Sequence, residues 1–92
     1  MNISLNETNE GYVVEVKYFE NNVQINRITQ LIIGHEYIVV PPLYAKQKFL
    51  EGRKCVLEEY INGKSGWVEK LKVRYPDNNR VGRVSIENVM KY

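Results

Sequence analysis

The sequence predicts a mostly β, single-domain protein, and three features carry that prediction. Apolar side chains alternate with polar ones along residues 12–19 and again along residues 67–75, the period of a strand with one face in a core. Clusters of Gly, Asn and Pro break the chain at regular intervals, notably at residues 20–22, 62–66 and 76–79. The apolar set is rich in Tyr, Ile and Val, which suit a pleated, half-buried surface better than a helix.

Residues before Gly11 are polar and form a lead-in, in which Ile3 and Leu5 leave a short edge strand open. Residues 12–19 make a strand with Tyr12, Val14, Val16 and Tyr18 inward and Glu15 and Lys17 outward. Glu20, Asn21 and Asn22 are a turn, because Asn tolerates the left-handed conformation, and residues 23–26 return as the second arm of a hairpin. The alternation then slips, since Val23 and Ile25 are apolar at odd positions and Ile28 at an even one. A bulge near Asn26 and Arg27 would absorb that slip, and a helical turn over residues 28–32 is the competing reading. Tyr37, Ile38, Val39 and Val40 make a short strand buried on both sides, stopped by Pro41 and Pro42. Residues 43–50 have poor helical spacing and read as a loop containing one turn.

Residues 53–61 are the next strand and residues 62–66 a glycine-rich hairpin loop. Along residues 67–75 the pattern points Trp67, Leu71, Val73 and Tyr75 toward the core and Val68, Lys70, Lys72 and Arg74 away from it. A turn at Pro76, Asp77, Asn78 and Asn79 leads to a strand over residues 80–84, a helical turn at residues 85–88 capped by Ser85, and a return through Val89 and Met90.

A chain of 92 residues has room for one thin core and no second domain. Its hydrophobic share of 43% and charged share of 26% are those of a globular protein rather than a disordered one. The first residues lack a basic, then apolar, leader, and no apolar run is long enough to span a bilayer, so the expected setting is the cytoplasm with no membrane contact. The single cysteine, Cys55, forbids an internal disulfide and fits a reducing compartment. Net charge is only +2 but polar in its placement: residues 1–44 hold two Lys/Arg against five Asp/Glu, or −3, and the rest eleven against six, or +5. Such an asymmetry favours an oriented contact with a partner.

Over about residues 37–92 the pattern resembles a small SH3-like barrel of the Tudor and KOW kind, found among short phage proteins. The residues that carry the likeness are Gly52 and Cys55, the strand to Tyr60, the glycine loop before Trp67, the strand ending Lys72-Val73-Arg74-Tyr75, the Pro-Asp-Asn turn, and Gly82-Arg83-Val84 followed by Ser85-Ile86-Glu87-Asn88-Val89. The resemblance implies an SH3-like barrel over residues 34–92, with residues 1–33 as lead-in and added N-terminal β-hairpin. A Tudor relationship would further imply an aromatic cage at Tyr60, Trp67 and Tyr75.

Chemistry is sparse. His35, Asp77 and Cys55 are each the only residue of their type, so a Cys-His or paired-carboxylate mechanism would have to be assembled from singletons. Cys55 alternates with Leu57 and reads as a small buried hydrophobe. One Cys and one His make no zinc constellation, and Glu58 and Glu59 point to opposite faces of a regular strand. Gly63-Lys64-Ser65-Gly66 lacks the upstream glycine and the helix of a phosphate-binding loop. The expectation is a protein without catalytic activity, cofactor or metal.

Two sets of residues remain as contact candidates. Lys70, Lys72 and Arg74, with Arg80 and Arg83 on the adjoining strand, form a basic face suited to phosphates, unless nearby Glu58, Glu59 and Glu69 offset it. Tyr18, Phe19 and Arg27 on the N-terminal hairpin could anchor a protein interface, while Tyr12 is read as core cover. The expected function is a non-enzymatic binding module that occupies a surface of a larger protein or nucleoprotein partner. Its narrowest form is a phage or mobile-element inhibitor of a host nucleoprotein defence complex, anti-CRISPR-like in class. The alternative is direct RNA or DNA binding by the basic face, and pairing of copies through a sheet edge stays open.

Overall fold

The computed structural model describes residues 2–40 and 52–92. It is a mostly β protein made of two antiparallel sheets. The first contains β1 (Asn2–Glu7), β2 (Tyr12–Glu20) and β3 (Val23–Leu31), in the order β1-β2-β3. The second contains β4 (Glu36–Val39), β5 (Lys54–Asn62), β6 (Val68–Tyr75), β7 (Arg80–Ser85) and β8 (Val89–Lys91), in the order β7-β6-β5-β4-β8. A 3-10 turn, Ile86–Asn88, carries the chain from β7 back to β8, which pairs with β4. Ser85 precedes this turn but makes no capping hydrogen bond through its side chain. The expected loop over residues 43–50 and the stop at Pro41 and Pro42 lie outside the described residues.

The lead-in is a full edge strand, with Ile3 opposite Val16 and Leu5 opposite Val14. Asn21 and Asn22 sit at φ 51° and 64°, the pair of left-handed residues that a two-residue hairpin turn requires. From that turn β2 and β3 pair without a break, Glu20 opposite Val23 through Tyr12 opposite Leu31. The expected bulge near Asn26 and Arg27 is therefore absent. The odd residues keep facing inward, with Arg27 and Thr29 taking two interior positions, and Ile28 is left 66% exposed on the outer face.

Real irregularities occur between β5 and β6. Leu57 faces Val73 but Glu59 faces Lys72, which leaves Glu58 as an extra residue in β5; Ile61 faces Lys70 but Asn62 faces Val68, which leaves Glu69 as an extra residue in β6. The second bulge cancels the offset of the first. Together they correct two sequence expectations. Val68, not Trp67, takes the inward position, and Trp67 stands 72% exposed. Glu58 and Glu59, consecutive and expected on opposite faces, both reach cations on the outer face of β6.

One hydrophobic cluster draws on both sheets, with Val14, Val16 and Leu31 from the first and Tyr37, Cys55, Leu57, Leu71 and Val73 among those from the second. Polar links pin the sheets across it. The buried Tyr37 hydroxyl accepts a hydrogen bond from Ile32 N–H at 2.7 Å and donates one to the Gln30 carbonyl at 2.6 Å. The Tyr60 hydroxyl donates to the Leu31 carbonyl at 2.7 Å. The Arg27 guanidinium donates to the Glu87 carbonyl in the 3-10 turn. Tyr12 meets the Tyr60 ring edge-on, with centroids 4.8 Å apart, and so covers the core as expected.

Candidate interaction surfaces

Cys55 lies in β5 opposite Tyr37, with no exposed surface, and burial pushes its thiol up to about 11. A thiol held neutral at pH 7 is a poor nucleophile. His35 is exposed in the turn before β4, where its backbone donates to the Ile32 carbonyl and accepts from Leu57 N–H. Among the described residues no three His, Cys, Asp or Glu side chains gather as metal ligands, and no helix is long and apolar enough to cross a membrane.

The basic set divides. Lys72 and Arg83 are opposed across β6 and β7, so Lys70, Lys72, Arg74 and Arg83 share the outer face. Arg80 is opposed to Tyr75, an inward residue, and belongs to the other face. Glutamates answer part of the charge. Arg74 donates to Glu58 at 2.9 Å and also to the carbonyl of Asn79, while Lys72 lies 4.0 Å from Glu59. Lys70 and Arg83 make no ion pair among the described residues. Like charges directly opposite one another, as at Lys72 and Arg83, cost stability and are relieved by an anion.

Two other cations of this half, Arg53 and Lys54, are engaged by the protein's own side chains. Arg53 forks onto Asp77 at 2.9 and 3.1 Å and lies 3.9 Å from the Tyr75 ring centre, so the guanidinium covers that ring. The hydrogen bond from Arg53 holds the Asp77 carboxyl below its ordinary range. Lys54 lies over the Tyr92 ring at 4.1 Å. An aromatic cage at Tyr60, Trp67 and Tyr75 is not formed: Tyr60 is bonded to Leu31, Tyr75 is buried beneath Arg53, and Trp67 alone is exposed. Trp67 instead borders an open cleft of about 240 Å³ with Leu5, Glu7, Tyr12 and Val68.

Of the three hairpin candidates, only Phe19 is free. Tyr18 is half-buried against the core and Arg27 is turned inward to Glu87, because both belong to the inner row that contains Val14 and Val16. Phe19, one residue out of phase, is 73% exposed. It shares the outer face of the first sheet with Ile28, which the unbroken register leaves exposed and which the expected bulge would have turned inward. Around them lie Gln24, Asn26 and Gln30 on β3 and Asn2, Ser4 and Asn6 on β1. Two charges on this face, Glu15 and Lys17, pair with each other at 3.6 Å.

No family model, curated protein or solved structure matches the chain.

Proposed function

We propose that the protein is a non-enzymatic binding module and that the outer face of the β1-β2-β3 sheet is its contact surface. The observation that carries this reading is the exposure of Phe19 and Ile28, at 73% and 66%, on a face whose other residues are amides, Ser4, the half-buried Val13 and one closed ion pair. Large apolar side chains amid uncharged polar ones are what a desolvated protein interface needs, whereas scattered charges would have to be stripped of water. The SH3-like reading of residues 34–92 is supported by a meander, β4 to β7, whose last strand returns through a single 3-10 turn to pair beside β4. The module then consists of that unit and an added sheet that presents the contact face. The narrowest form, a cytoplasmic phage or mobile-element inhibitor seated on a host nucleoprotein defence complex, draws on small size and sparse chemistry.

The test is affinity capture from a host lysate with nuclease present, using wild type, Phe19→Asp/Ile28→Asp and Lys72→Glu/Arg83→Glu. A defined protein retained by wild type and the charge variant but lost by the Phe19/Ile28 variant supports the reading. Loss of every partner on nuclease treatment would refute it. That outcome favours a second reading, in which Lys70, Lys72 and Arg83 hold a nucleic-acid backbone and binding weakens steeply with salt. The like-charge opposition of Lys72 and Arg83 is the observation behind this alternative.

A further inference from the structure

We infer that the free edge of β3 is a pairing edge for a second copy of this chain, joining two three-stranded sheets into one continuous sheet. The argument begins with the direction of backbone groups. In β3 the odd residues exchange hydrogen bonds with β2, so the even ones point outward. At the C-terminal end of the strand these outward groups are satisfied, because Tyr37 takes the Gln30 carbonyl and the Ile32 N–H. At Gln24, Asn26 and Ile28 the outward N–H and C=O groups have no backbone or side-chain partner among the described residues.

Exposed edges of this kind are normally blunted by charge, proline, a bulge or shortness. The other edge strands carry such features. β7 has Arg80 and Arg83 with Gly82 between them, β8 is three residues long and contains Lys91, and β1 ends in Glu7. β3 runs nine residues without a bulge, and its one charged side chain, Arg27, is turned to the interior and bonded to Glu87. Val23 and Ile28 are exposed near the two ends of the unsatisfied segment.

A second copy fits because the segment is complementary to itself. An antiparallel pairing about a two-fold axis at Ile25 uses only residues 22–28 and leaves the groups held by Tyr37 undisturbed. Gln24 would exchange backbone bonds with Asn26 of the second copy, and Asn26 with its Gln24, so both lie in the positions whose groups point outward. The same register opposes Ile25 to Ile25 on the inner face and amide to amide on the outer one. Val23 meets Arg27 of the second copy, in a row that begins with Glu20, so no like charges are opposed. The two-fold is closed, and one patch serves both partners.

The experiment is sedimentation equilibrium of the full chain over a hundredfold concentration range, with amide exchange followed at both extremes. A monomer–dimer equilibrium is expected, with Gln24, Asn26 and Ile28 amides more protected at high concentration. Asn26→Pro removes an outward N–H that β2 does not use and should raise the dimer dissociation constant at least tenfold, with the far-UV spectrum unchanged. Gln24→Lys/Asn26→Lys, which opposes lysines across the axis, should do the same and stands in if the proline variant fails to fold. A monomer at every concentration overturns the inference, as does a dimer that keeps its affinity in the folded variants or protects another edge.

Discussion

Replacing Tyr60 by Phe isolates one of the links between the sheets. The hydroxyl donates to the carbonyl of Leu31, a residue with no exposed surface, at 2.7 Å. The substitution leaves the ring, its volume and its edge-on contact with Tyr12 in place, so no cavity term enters. What is lost is the net worth of a neutral hydrogen bond, about 0.5–1.5 kcal/mol, since the Leu31 carbonyl keeps its ladder partner in Tyr12. For a domain of this size that lowers the melting midpoint by about 2–12 °C. Thermal and urea unfolding followed by far-UV circular dichroism measure it, with Tyr12→Phe as the control, since no hydrogen bond of the Tyr12 hydroxyl is present among the described residues. Tyr12→Phe should stay within about 0.5 kcal/mol of wild type. If Tyr60→Phe unfolds at the wild-type midpoint, or if the two variants are equally destabilised, the hydroxyl does not hold the sheets together and the argument for the joint fails.

Alkaline pH should reveal Cys55. Its folded thiol is raised to about 11 from an ordinary 9, so the stability of the neutral, buried form is fully present below pH 9 and is lost as pH rises through 11. Between pH 9 and 10 urea midpoints should fall more steeply for wild type than for Cys55→Ala, in which Tyr37, Tyr60 and Tyr75, also raised by burial, leave a shallower decline; equal slopes assign the fall elsewhere. Gly82→Ala should destabilise by about 1–3 kcal/mol, because a Cβ there would stand 2.8 Å from the Tyr75 ring, which Arg53 already covers. A wild-type midpoint would mean that the ring can move aside. Arg83→Glu turns a like-charge opposition with Lys72 into an attractive one and should stabilise by about 0.5 kcal/mol at low salt; loss of stability in a urea titration would show that Arg83 makes a structural contact.

Strand periodicity in the sequence was enough to place β2, β5, β7 and the return at β8, because side-chain alternation and turn chemistry are local properties. Asn21 and Asn22 were readable for the same reason, since a short polar side chain tolerates positive φ. The errors arose where tertiary context changed the phase. Ile28 mimics a bulge because an exposed isoleucine looks like an interior residue, while nothing local marks Arg27 and Thr29 as occupants of interior positions. Glu58 and Glu69 gave no local sign of being extra residues, and so Trp67 was assigned to the core one position out of register. The basic face was legible as a run of alternating lysines and arginines. Its partial neutralisation by Glu59 depends on the same hidden bulge, and the place of Arg80 on the strand register opposite Tyr75. Phe19 was found as a candidate, and Ile28 beside it could have been found by continuing the hairpin register in a straight line.

The two bulges also set a counting rule for this hairpin. With Glu58 as the extra residue, Tyr60 rather than Glu59 turns inward, and only then can its hydroxyl reach Leu31. Tyr60 lies three residues beyond Leu57, a spacing that a regular strand would place on opposite faces, so the joint between the sheets depends on the bulge and hardly on what residue 58 is. Loss of a single codon there would close the bulge and leave Leu57, Glu59 and Tyr60 in plain alternation, with Tyr60 still inward, whereas regular pairing of Glu58 opposite Lys72 would bring Glu59 toward the core and turn Tyr60 out. A deletion at Glu69 would close the second bulge in the same way, with Val68 and Leu71 still inward. Length variation in this hairpin consequently has room at Glu58 and Glu69 as well as in its loop, residues 63–67, because the inward rows are undisturbed in each case.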